Sequence, residues 1–87
     1  MDIVFIAPQH RDLTGGVDRA QVPGGTLAQV IAALDERFPG LSARLRTADG
    51  LAPGLAASID GSFTNRGLWA KVGEASEVHF LPAIGGG

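Results

Sequence analysis

Thr26-Leu27-Ala28-Gln29-Val30-Ile31-Ala32-Ala33-Leu34-Asp35-Glu36-Arg37-Phe38-Pro39-Gly40 is the stretch that decides the fold. Leu27, Val30, Ile31, Leu34 and Phe38 fall at the i, i+3, i+4, i+7, i+11 spacing of a helix with one apolar face. Thr26 stands at the N-cap position and Gln29 three residues on, so hydroxyl and amide can each satisfy a backbone N–H that the first turn leaves free. Pro39-Gly40 ends the pattern. The spacing therefore predicts one helix of about three turns that needs a sheet to cover its stripe.

The sheet is sought on either side. Upstream, Ile3, Val4, Phe5 and Ile6 form a short β-branched and aromatic run, apolar on both faces, which predicts a central strand over residues 2–6 covered on both sides. Pro8 ends it, and residues 9–16 read as a connection closed by Gly15-Gly16. Val17 to Val22 alternates and predicts a second strand, half exposed. Pro23-Gly24-Gly25 leads into the helix; no Lys-Ser/Thr follows the glycines, so they read as a turn and not a phosphate cradle.

Downstream, Leu41 and Leu45 suggest one helical turn within a loop region over 41–54. Leu55-Ala56-Ala57-Ser58-Ile59 predicts a third strand with Leu55, Ala57 and Ile59 inward. Asp60-Gly61 is the dipeptide favoured in a type I′ hairpin turn, and Ser62-Phe63-Thr64 is its short return. Leu68-Trp69 is expected to pack beneath the following loop. Glu77-Val78-His79-Phe80-Leu81-Pro82 alternates as a last strand, with Val78 and Phe80 inward and Glu77, His79 and Leu81 outward. The resulting order, β-β-α-β-(β)-β, points to an α+β domain: a mixed sheet of four to five strands with one main helix on one face.

Composition limits what such a domain does. Eighty-seven residues make one core. The net charge of −2, with six arginines and Lys71 scattered along the chain, gives no basic surface for nucleic acid. No apolar run approaches the ~20 residues of a membrane span, and no signal peptide is evident, so a cytoplasmic location is expected. Without cysteine there is no disulfide, thiolate metal site or cysteine nucleophile. His10 and His79 lack a carboxylate at ligand spacing, so no metal site is expected and each is read as a surface or hydrogen-bonded histidine. Asp60 is explained by its turn. No nucleophile and base can be assembled, so the chain is not expected to be an enzyme.

What remains is the end, Ile84-Gly85-Gly86-Gly87. Terminal glycines are usually frayed ends. These directly follow a strand, however, and they present one reactive group, the Gly87 α-carboxylate. Glycine carries no side chain, so Gly85 and Gly86 can thread a channel that rejects a branched residue. At about 3.3–3.6 Å per extended residue the three reach roughly 10 Å past Ile84.

Arg11-Asp12-Leu13-Thr14-Gly15-Gly16, Gly25-Thr26-Leu27, Phe38-Pro39-Gly40-Leu41, Ile59-Asp60-Gly61 and the ending Val78 to Gly87 together make the chain resemble a ubiquitin-like β-grasp sulfur carrier of the MoaD/ThiS family. Thr14-Gly15-Gly16, Arg66-Gly67-Leu68 and Leu81-Pro82-Ala83 are most similar to the carriers that feed cysteine biosynthesis; the small subunit of molybdopterin synthase is next. The resemblance implies a β-grasp domain over 1–82, a flexible tail over 83–87, and a monomer when free. It implies that an E1-like adenylating enzyme uses ATP to activate Gly87, that sulfur replaces the adenylate to leave a thiocarboxylate, and that a sulfur-accepting biosynthetic enzyme, cysteine-synthase-like or other, takes the sulfur. The protein itself would bind no cofactor. A ubiquitin-like modifier joined to targets through Gly87 is the alternative. Partners are expected to grip Leu81 and Ile84 together with Phe63 or Phe5. For Leu81, simple packing on the first strand is the competing expectation.

Overall fold

A computed structural model describes residues 1–83. Its strands are β1 (Asp2–Phe5), β2 (Arg19–Val22), β3 (Leu55–Ile59), β4 (Ser62–Phe63) and β5 (Glu77–Pro82), with helices α1 (Leu27–Arg37) and α2 (Leu41–Leu45). Short 3₁₀ turns occupy Pro8–His10 and Gly67–Trp69. The strands form one mixed sheet in the order β2-β1-β5-β3-β4. β1 and β5 run parallel at its centre, with Val4 opposite Val78. The other neighbours are antiparallel.

Helix α1 forms where its pattern places it, and its start is secured as expected. Thr26 Oγ1 accepts the Gln29 N–H, and Gln29 Oε1 accepts the N–H groups of Thr26 and Gly25. Gly24 is required by packing: a Cβ there would lie 2.7 Å from Val30 Cγ2 and 2.9 Å from its backbone nitrogen. Leu27, Val30, Ile31 and Leu34 are fully buried against Val4, Val22, Ala57, Val78 and Phe80, while α2 adds Leu41 and Leu45 to the same core. Phe38 packs at the margin. The Asp35 carboxylate accepts the N–H groups of Gly40 and Ser42, which joins the end of α1 to the start of α2.

The Asp60-Gly61 turn has positive φ at both residues, 52° and 86°, as a type I′ hairpin requires. The Asp60 carboxylate also accepts the Glu77 N–H at 2.9 Å and the Ser76 hydroxyl at 2.8 Å. Those two bonds hold its carboxyl below the ordinary carboxylate value. The turn is thereby tied to the entry of β5. Asp2 secures the same entry by accepting the Ser76 N–H at 3.0 Å.

Three expectations need correction. β1 is not covered on both faces: Val4 is buried, but Ile3 and Phe5 sit half-buried on the side away from α1. Leu68 is buried as expected while Trp69 is 81% exposed; a tight 3₁₀ turn points successive residues about a third of a circle apart, so both cannot face the core. His10 is neither a surface nor a hydrogen-bonded histidine. It is 6% exposed, and its Nδ1 has no hydrogen-bond partner among the described residues. Burial, and secondarily the Arg44 guanidinium, lower its pKa, with Asp12 opposing them.

Two outcomes follow from these placements. Thr26→Ala removes one half of the cap and should lower unfolding free energy by about 1 kcal/mol in urea denaturation. For His10, the folded pKa lies below the unfolded value of about 6.5. Its contribution to stability is complete above that value and is lost as pH falls toward the folded pKa, because the unfolded chain accepts the proton first. Denaturation midpoints measured from pH 8 to 5 should decline below about 6.5, and His10→Gln should flatten that segment.

Candidate functional site

The site is built on β5, which lies between β1 and β3 and leads to the end of the chain. Val78 and Phe80 are buried and anchor it from the helix side. Period-two alternation then sends Glu77, His79 and Leu81 to the opposite, outer face. Register sets their neighbours there: Arg19 of β2, Phe5 of β1, His79 of β5, Ser58 of β3 and Phe63 of β4 form one row across the sheet.

Within that row, Phe5 and His79 stack with centroids 4.2 Å apart and planes 6° from parallel. The Arg19 guanidinium carbon sits 5.5 Å from the Phe5 centroid, so an arginine, a phenyl ring and an imidazole make a layered outer surface. Beside it lies a shallow hollow of about 210 Å³ whose walls include Phe5, Pro8, Arg11, His79 and Leu81. Arg11 is fixed at its rim by donating Nε–H to the Ile6 carbonyl at 3.1 Å. The hollow combines apolar walls with a cation, which suits contact with another protein.

Leu81 is half-buried opposite Ala56 and contributes both to the outer face and to sheet packing. Pro82 pairs with Leu55, and the Ala83 N–H donates to the Gly54 carbonyl at 2.8 Å. Sheet pairing thus extends through Ala83. Of the four residues expected to form a docking patch, Phe5 and Leu81 line one hollow. Phe63 is 65% exposed on the edge strand β4 and lines a separate cleft. Ile84, and with it Gly85, Gly86 and Gly87, lies outside the described residues.

His79 and Arg19 were not foreseen as parts of this surface. Both are outward by alternation, which was legible; that β1 would lie between their strands was not. Among the described residues, no group of three His, Cys, Asp or Glu could hold a metal ion. Gly25 donates its N–H to Gln29 within the cap, so this glycine pair has a structural purpose.

The ThiS family model matches residues 5–87. No curated protein matches the chain at a significant level. Among solved structures, the chain is similar to one from the Amycolatopsis orientalis BexX/CysO complex, at 27% identity over 100% of both chains with a TM-score of 0.90. It is similar to Mycobacterium tuberculosis CysO, an antigen, at 26% identity over 97% of this chain and 100% of that one, with a TM-score of 0.87. SAMP1 from Haloferax volcanii shares the fold, at 21% identity over 99% and 98% of the two chains and a TM-score of 0.70.

Truncation separates anchoring from surface roles on β5. Phe80→Ala should cost about 3–5 kcal/mol of stability in urea titrations, the range for a buried phenylalanine. Leu81→Ala, half-buried, should cost about 1–2 kcal/mol, below the usual buried-leucine range.

Proposed function

The chain belongs to the ThiS family, and from that premise we propose that it is a sulfur carrier whose Gly87 carboxylate is loaded by one enzyme and unloaded by another. The observation that carries this reading is that the family match runs through the final residue and includes the glycine ending. The ubiquitin-like β-grasp body presents an outer-face hollow beside the strand from which that ending departs.

The chemistry follows from the unreactive nature of a carboxylate. Attack of a Gly87 carboxylate oxygen on the α-phosphorus of ATP forms an acyl adenylate and releases pyrophosphate, both within an E1-like partner. A sulfide-level nucleophile then adds to the acyl carbon and expels AMP, leaving a terminal thiocarboxylate. The acceptor enzyme takes the sulfur, and water restores the carboxylate. The chain's own part is to bind and to place its end, since each step needs the terminus inside a partner's site. Gly85 and Gly86 allow that entry, while Phe5, Leu81 and the Arg11 rim supply the grip beside it, together with Ile84.

Similarity to CysO favours cysteine or a related sulfur-containing metabolite as the destination. The BexX/CysO complex supports a carrier that works while held by a partner protein. Molybdopterin synthesis is the competing destination within the carrier reading.

Incubation with a cognate adenylating enzyme, ATP and sulfide, followed by intact-mass measurement, should show exchange of one oxygen for sulfur at the C-terminus. Removal of Gly87 should abolish the exchange with the circular dichroism spectrum unchanged. Isopeptide-linked adducts in cells without any such exchange would replace the carrier reading with that of a modifier.

A further inference from the structure

Ser62, Phe63, Asn65, Arg66, Trp69 and Lys71 surround an open cleft of about 500 Å³ at the β4 edge of the sheet. It is distinct from the hollow beside β5. In the cross-sheet row His79 pairs with Ser58 and Ser58 with Phe63, which places Phe63 two strands, or roughly 10 Å, from His79.

We propose that this cleft is a second protein-docking surface, one that takes an extended acidic segment of a partner protein laid along β4. Three observations carry the proposal. The first is an aromatic pair on a fixed support. Trp69 and Phe63 are 81% and 65% exposed, the largest apolar side chains left in solvent among the described residues. The turn that presents Trp69 is held from both sides: Leu68 is buried, the Leu27 N–H donates to the Ala70 carbonyl at 2.9 Å, and the Val72 N–H donates to Gly25 at 3.1 Å. The backbone that carries the tryptophan is thus ordered before binding, and the indole brings a large contact area.

The second observation is charge. The chain is net negative, yet among the described residues this cleft is walled by Arg66 and Lys71 and by no acidic side chain. Neither cation has an ion-pair partner among the described residues. Lys71 is placed by its backbone bridge to Thr26, and the Arg66 N–H is tied to Thr64 Oγ1 at 3.0 Å. A carboxylate-bearing partner complements both.

The third is the sheet edge. Ile59 and Ser62 flank the two-residue turn, so they form the hydrogen-bonded pair that closes the hairpin. The Thr64 N–H donates inward to Ala57 at 3.1 Å. The intervening pair, Ser58 and Phe63, is therefore the non-hydrogen-bonded kind, and the Phe63 N–H and C=O face away from the sheet. An extended peptide can accept and donate there as an added strand, with the aromatic walls and cations selecting its side chains.

The only tryptophan in the chain is Trp69, so its emission reports on this cleft alone. The probe is a capped octapeptide of alternating glutamate and threonine, titrated into the full chain at low salt, with the lysine-threonine peptide as control. The acidic peptide should produce a saturable shift in emission together with a shift of the Phe63 amide resonance. The affinity should weaken with salt. Arg66→Glu combined with Lys71→Glu should weaken it on the order of tenfold or more, with an unchanged circular dichroism spectrum. No response, an equal response to the basic peptide, or undiminished binding by the double variant overturns the proposal. Emission that depends on protein concentration without peptide, matched by dimer in sedimentation, would assign the cleft to a second copy instead and also overturns it. The measurement needs no loaded terminus, so its failure is separable from failure of the carrier reading.

Discussion

The parallel pairing of β1 with β5 is the constraint on which the rest of the structure depends. Parallel neighbours cannot be joined by a tight turn, so the chain between Phe5 and Glu77 must leave the sheet and return. It does so by placing α1 across one face, where Leu27, Val30, Ile31 and Leu34 meet Val4 and Val78. The remaining strands then attach as antiparallel flanks, β2 outside β1, and β3 with β4 outside β5. Pairing the first strand with the last also explains the polar lock at the entry of β5. Asp2 and Asp60 converge on Ser76, one from each flank, and satisfy donors that a central strand cannot leave unpaired.

Local features were legible in the sequence because local chemistry determines them. The capping box at Thr26 and Gln29, the α1 stripe, and the positive φ values at Asp60 and Gly61 depend on residues a few positions apart. Inward and outward faces of β5 were legible for the same reason. Neighbours were not, since alternation tells which side a residue faces and not which strand lies beside it. Phe5 illustrates this: an apolar residue in an apolar run suggested a covered face, whereas stacking between Arg19 and His79 half-covers it without another layer. Trp69 and His10 were misplaced by residue type. Each sits in or beside a 3₁₀ turn, whose geometry assigned the larger apolar residue to solvent and the imidazole to the interior.

One sheet face is thus committed to the core, while the other keeps half-buried and exposed side chains. The helix side holds the buried aliphatics, and a change there would be felt as unfolding. The outer side carries the ring stack, Leu81 and the Arg11 rim, whose contacts are shallower. Phe80 and Leu81, adjacent in sequence, fall on either side of that division, so one strand both anchors in the core and shapes the outer face.

Because β1 and β5 point the same way, the fold is polar. Met1 lies at one end, where its ammonium donates to the Glu74 carbonyl at 2.9 Å, and Pro82 and Ala83 lie at the other, a strand length or about 20 Å away. An attachment through Met1 would exchange an ammonium donor for an amide N–H while leaving the Pro82–Ala83 end open. Immobilised or fused in that orientation, the domain would turn its Pro82–Ala83 end away from the support and keep the outer-face hollow beside β5 accessible.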